Sequence, residues 1–136
     1  MQRWMIFAAG ALGLGGCSFG EDVAGAEKEI AAFHAKLDAG QFSQIYAGSA
    51  SEMKAAASET DMVKLLQAVH AKLGRFKSGK TAGWNDNRNM SGHFITLNYT
   101  ATYERGEAQE NFVYRIHGGR AALVGYHISS NAFVIS

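Results

Sequence analysis

Glu110 and His127 are the two side chains whose types and placement point most directly to chemistry. A carboxylate beside an imidazole under apolar cover has a shifted proton affinity, and can serve as general acid and base or hold the polar head of a ligand. Tyr99 and Tyr103 offer hydroxyls one step to either side on the adjoining strand, and Ala101, Ala108, Gly125 and Ser129 are small enough to leave room. Tyr99, Tyr103, Glu110 and His127 are therefore the candidate ligand pocket. The plainer reading of the same residues is a satisfied polar couple at the rim of a core. His34 and Asp38, four apart on one helix, could line the same mouth, although that spacing also suits an intrahelical pair. His70 has no second ligand at metal spacing, so no metal site and no cofactor are expected. His93 and His117 fall near strand ends, where they are expected to face solvent.

The elements that would position these groups follow from the period of the apolar residues. Ile95, Leu97, Tyr99, Ala101 and Tyr103 alternate with Thr96, Asn98, Thr100 and Thr102, the best strand pattern in the chain. Arg105-Gly106 and Gly118-Gly119 are two-residue turn candidates separating strands of an antiparallel meander. Closing the first turn opposes Ala101 to Glu110 and Tyr99 to Phe112; closing the second opposes Phe112 to Gly125 and Glu110 to His127. One face then collects Ile95, Leu97, Tyr99, Phe112, Tyr114, Ile116 and Leu123. The opposite face carries Val113, Val124 and Tyr126 among polar neighbours, and these three form a candidate interface for a homodimer or a protein partner. An earlier strand over Phe76 to Trp84 is weaker, and Asn85 to Asn89 reads as a polar loop.

Helical spacing dominates the first half. Val23, Ala26, Ile30, Phe33 and Leu37 make one stripe that stops near Gly40. Phe42, Ile45 and Tyr46 belong to a shorter element, residues 47–58 give no clear pattern, and Ser58 or Thr60 caps a helix of Met62, Leu65, Leu66, Val69 and Leu73 that ends at Gly74. Helices followed by a meander define an α+β class, with N-terminal helices packed on a curved antiparallel sheet of about four strands.

The segments Leu37-Asp38-Ala39-Gly40-Gln41-Phe42, Lys72-Leu73-Gly74, Glu110-Asn111-Phe112 and Gly125-Tyr126-His127-Ile128 resemble those of small exported bacterial families on the cystatin-like, nuclear-transport-factor-2-like fold. The resemblance implies a conical half-barrel with room for a pocket, often dimeric through its sheet. It implies no particular reaction.

Leu14-Gly15-Gly16-Cys17 follows an eleven-residue, mostly apolar run from Trp4 to Leu14 and holds the single cysteine of the chain. It resembles the lipobox of bacterial lipoproteins, and the run is shorter than the roughly 20 residues of a membrane-spanning helix. The resemblance implies a signal peptide over residues 1–16, an acylated Cys17 with a short tether over 17–25, and one α+β domain over 26–136. Ser18, where the family uses Asp to retain lipoproteins at the inner membrane, favours a periplasm-facing outer-membrane anchor. Removing residues 1–16 takes away one of 13 basic residues and leaves 12 against 12 acidic ones. A domain so balanced lacks the basic excess of a nucleic-acid binder. The leading expectation is a non-enzymatic, membrane-anchored lipoprotein binding a protein partner or a small amphipathic ligand. The alternatives are an isomerase- or hydratase-like enzyme using Glu110 or His127 as base with Tyr99 or Tyr103 as hydrogen-bond donor, and an immunity or accessory lipoprotein.

Overall fold

The computed structural model describes the backbone of residues 3–135 and the side chains of 20–133. The expectations placed on residues 1–16 and on Cys17 lie outside the residues so described. The chain runs α1 (Arg3–Asp38), α2 (Phe42–Ala47), α3 (Ser51–Ala56), α4 (Glu59–Leu73), β1 (Phe76–Asn89), β2 (Gly92–Tyr103), β3 (Gly106–His117), β4 (Arg120–Ser129) and α5 (Asn131–Ile135). The four strands form one open antiparallel sheet in the order β1-β2-β3-β4. This is the α+β architecture expected from the switch in period. Among the described residues no helix is long and apolar enough to cross a membrane.

Each helix forms where its apolar stripe finds the sheet. Ala26, Ile30, Phe33 and Leu37 of α1 and Met62, Leu66, Val69 and Leu73 of α4 are buried, whereas Leu65, on the shoulder of the α4 stripe, is largely exposed. The Ser58 hydroxyl caps α4 by accepting the Asp61 N–H at 3.1 Å, with Glu59 and Asp61 at the positive end of the helix dipole. α3 falls in the stretch that showed no pattern, because a six-residue helix with one buried anchor, Met53, is too short to display a period.

Three local features differ from expectation. Asn85 to Asn89 are not a loop but the end of β1, paired with Thr96 through Gly92 of β2. An edge strand is held by its backbone, so polar side chains do not exclude it. The β2–β3 turn sits at Glu104-Arg105, one residue earlier than expected, which slides the register by two while preserving faces: Tyr103 opposes Gly106, Leu97 opposes Phe112 and Tyr99 opposes Glu110. Contacts with the end of α4 fix this turn. The Arg105 N–H donates to the Leu73 carbonyl and its guanidinium to the Ala71 and Lys72 carbonyls, capturing acceptors left open at the helix terminus.

The third difference decides the site. Gly118-Gly119 does close β3 to β4, both glycines at positive φ, and His117 opposes Arg120 as expected. The register then shifts between Val113 and Tyr114: Tyr114 opposes Leu123, but Val113 opposes Gly125, leaving Val124 as an inserted residue. At this point the Leu123 carbonyl accepts the Ala50 N–H of the α2–α3 connection at 2.8 Å. Every β4 residue beyond Val124 therefore faces opposite to expectation.

Candidate functional site

Glu110, in the middle of β3, points into the core and is 2% exposed. Its Oε1 lies 2.8 Å from Nε2 of His34, which α1 presents one residue after Phe33. Its Oε2 accepts two phenol hydrogens, from Tyr103 at 2.8 Å and from Tyr126 at 2.6 Å. Four elements, α1, β2, β3 and β4, thus meet on one carboxylate. Phe76, at the start of β1, covers the open face of the imidazole, stacked at 3.8 Å and nearly parallel to it. Nδ1 of His34 is buried without a partner. The Nε2–H tautomer suits that environment, since it donates to Oε1 and leaves Nδ1 as a bare lone pair rather than an orphaned donor.

The expected neighbour of Glu110, His127, is exposed on the other side of the sheet, opposite Asn111. The Glu110-His127 pair is not formed, because the inserted Val124 turns His127 outward and brings Tyr126 inward. Of the four candidate pocket residues, Glu110 and Tyr103 are brought together. Tyr99 lies half-buried opposite Glu110, its ring 5.5 Å from that of His34, and His127 is separated from all three. Of the three candidate interface residues, Tyr126 is buried within the core, so only the half-buried Val113 and Val124 remain outward beside polar neighbours such as Asn98, Asn111 and Gln109. The three residues therefore do not share one face.

His34 is the partner of Glu110 that the pairing argument missed. Its proximity to the pocket mouth was readable from the α1 stripe, but its partner was assigned to Asp38. Asp38 instead accepts the Phe76 N–H at 3.2 Å and stands 3.4 Å from Nε2 of His70, within ion-pair reach but without a hydrogen bond. His93, expected in solvent, is half-buried and lies 2.7 Å from Oδ1 of Asp86. His117 is exposed as expected.

The electrostatics follow from burial. Tyr103 and Tyr126 are held well above the ordinary phenol range, first because burial disfavours the phenolate and then because the Glu110 carboxylate repels it. Tyr114 and Tyr99 shift the same way, again chiefly through burial. A group whose pKa is raised by folding stabilises the protein fully below its unfolded value, near 10 for tyrosine, and loses that contribution as pH climbs past it. Stability should therefore fall above about pH 10, by about 1.4 kcal/mol per pH unit for each of Tyr103 and Tyr126. A pH titration should show their tyrosinate absorbance appearing together with loss of folded signal; ionisation of all tyrosines ahead of unfolding would contradict the buried placement.

Chemically, the cluster is closed off from solvent. Both carboxylate oxygens are occupied by donors, and the Glu110 side chain is wholly buried. The shallow groove outside the sheet, bounded by Asn98, Asn111 and His127, meets Glu110 only through its main chain. Among the described residues no group of three or more His, Cys, Asp or Glu stands where it could hold a metal ion.

A four-stranded open antiparallel sheet with helices over one face, pinned through a buried carboxylate, defines a small α+β domain. The chain belongs to the DUF4019 family, described as a protein of unknown function, whose model matches residues 30–126. That span contains His34, Phe76, Tyr103, Glu110 and Tyr126, and ends one residue before His127. No curated protein matches the chain.

Proposed function

We propose that the chain is an exported bacterial lipoprotein, acylated on Cys17 after removal of residues 1–16, whose domain over 26–136 is a non-enzymatic binding module. The cystatin-like, nuclear-transport-factor-2-like plan read from the sequence is part of this proposal, as is a periplasm-facing anchor at the outer membrane. The observation that carries the binding reading is the state of Glu110: both of its oxygens are committed to His34, Tyr103 and Tyr126 inside the core. A general base needs a lone pair within reach of a substrate proton, and this carboxylate holds secondary structure together instead. The enzyme alternative takes Glu110 or His127 as base with Tyr99 or Tyr103 as hydrogen-bond donor; Glu110 and Tyr103 are buried in the core, and His127 lies on the opposite face of the sheet from both tyrosines. Recognition then belongs to the outside of the domain.

The anchoring part of the proposal rests on Leu14-Gly15-Gly16-Cys17 and the apolar run before it. Several acyl chains on one residue would hold the protein firmly, each buried methylene adding about 0.8 kcal/mol. Metabolic labelling with a fatty acid should mark the wild-type protein and leave the Cys17→Ser chain unlabelled. Equal labelling of both chains would end the lipoprotein reading.

A further inference from the structure

The largest cleft described runs between the Gly25–Lys36 stretch of α1 and the β3–β4 hairpin. It is about 720 Å³, within the range of about 300–1,000 Å³ typical of ligand sites. Its walls are α1, the Gly48 turn and the β3–β4 hairpin, and its chemistry is one-sided: Lys28, Lys36, Arg115, His117 and Arg120 line it against a single acid, Glu29. Arg115 is already committed, its guanidinium donating to Glu52 at 2.6 Å and to the Ser91 carbonyl at 3.0 Å. The same contact holds the Glu52 carboxyl below the usual range. Lys28, Lys36 and Arg120 have no carboxylate partner among the described residues, so they leave a formal excess of two positive charges over Glu29. In a domain otherwise balanced in charge, this concentration is local. Glycines and alanines, among them Gly25, Gly119 and Ala122, keep the floor open.

We propose that this cleft binds the phosphate of an anionic phospholipid headgroup. Three observations favour a headgroup at a bilayer surface. An excess of two positive charges complements phosphate. The adjoining slot, lined by Phe33, Ile45, Tyr114 and Leu123 together with Glu29 and Lys36, is only about 40 Å³, too small for an acyl chain, so the cleft would grip a headgroup without extracting the lipid. The cleft also sits at the membrane-proximal end if Cys17 is the anchor, because Asp22 reaches Arg88 near the β1–β2 tip at 3.9 Å while Asp38 contacts Phe76 at the far end. The orientation in this last point rests on the lipoprotein reading; the charge and shape of the cleft do not.

The test uses the full-length Cys17→Ser chain, so that no acyl group contributes. Its sedimentation with vesicles of phosphatidylethanolamine plus phosphatidylglycerol is compared with that on vesicles in which phosphatidylcholine replaces phosphatidylglycerol. Lys28 and Arg120 are exposed, so Lys28→Gln with Arg120→Gln should leave the fold intact, which circular dichroism checks. The phosphatidylglycerol-dependent part of the binding should fall at least about tenfold in this double variant and less than about twofold in the charge-matched control Lys64→Gln with Lys77→Gln. Both pairs share the apolar leader, so the difference between them belongs to the cleft. Equal losses in the two pairs, or no dependence on phosphatidylglycerol, would overturn the proposal. So would thermal stabilisation by inorganic phosphate, dependent on Lys28 and Arg120, without vesicle binding, since the ligand would then be the free anion. A chain that fails the lipid-labelling test can still pass this one, and the reverse, so the two readings fail separately.

Discussion

Glu110→Ala should lower the unfolding free energy by about 3–5 kcal/mol, the loss expected when a buried carboxylate is removed and the three donors it anchors are left without an acceptor. The origin is not the carboxylate alone. With Glu110 gone, Nε2 of His34 and the hydroxyls of Tyr103 and Tyr126 lose their acceptor inside a site sealed by Phe76, Phe33 and Phe112. Each unsatisfied buried donor costs about 1–3 kcal/mol, and the three are not additive because the cavity lets them shift toward one another. Glu110→Gln keeps the volume and one carbonyl oxygen but brings an amide N–H₂ among donors, so its loss should be intermediate. Chemical denaturation of the three chains checks this order. A loss below about 1 kcal/mol for the alanine variant would contradict the pinning role.

Phe112→Ala should cost a similar amount, about 3–5 kcal/mol, by a different route. The ring is wholly buried and meets Phe33 and Tyr126 at 5.1 Å and Tyr114 at 6.1 Å between centroids. Truncation opens a cavity at the point where α1 crosses the sheet. Thr100→Ala, on the opposite face, removes an exposed 3.1 Å hydrogen bond to Gln109 and should cost less than about 1 kcal/mol. Equal losses at Phe112 and Thr100 would mean that the two faces of the sheet are reversed.

Periodicity was a good guide wherever one face of an element packs against the core. The α1 and α4 stripes and the alternation in β2 and β3 placed Ile30, Leu66, Leu97 and Phe112 inside, and these residues are buried. The face assignment even survived a misplaced turn, because a slide of two residues restores the same side of the strand. It failed at Val124, where a single inserted residue inverted the rest of β4. The shift coincides with an Ala50 N–H reaching the Leu123 carbonyl, a contact between segments more than 70 residues apart. Local pattern carries no trace of such a contact. Two signals were nonetheless present. Tyr126 is a large aromatic with a polar tip, the type that seeks a buried partner, and His34 follows Phe33 on the packed side of α1. Pairing Glu110 within the sheet, without asking what the covering helix brings, is what assigned His127 the place that His34 holds.

The most direct measurement is a pair of double-mutant cycles in chemical denaturation, Glu110→Gln combined with His34→Asn and Glu110→Gln combined with His127→Asn. Contacting residues couple by about 0.5–3 kcal/mol, whereas separated ones add within about 0.5. With Glu110 bonded to His34 at 2.8 Å and His127 turned away on the opposite face, the first cycle should show coupling of at least about 1 kcal/mol and the second should be additive. Additivity with His34 together with coupling to His127 would contradict the buried pin and return the carboxylate to an open, catalytic reading.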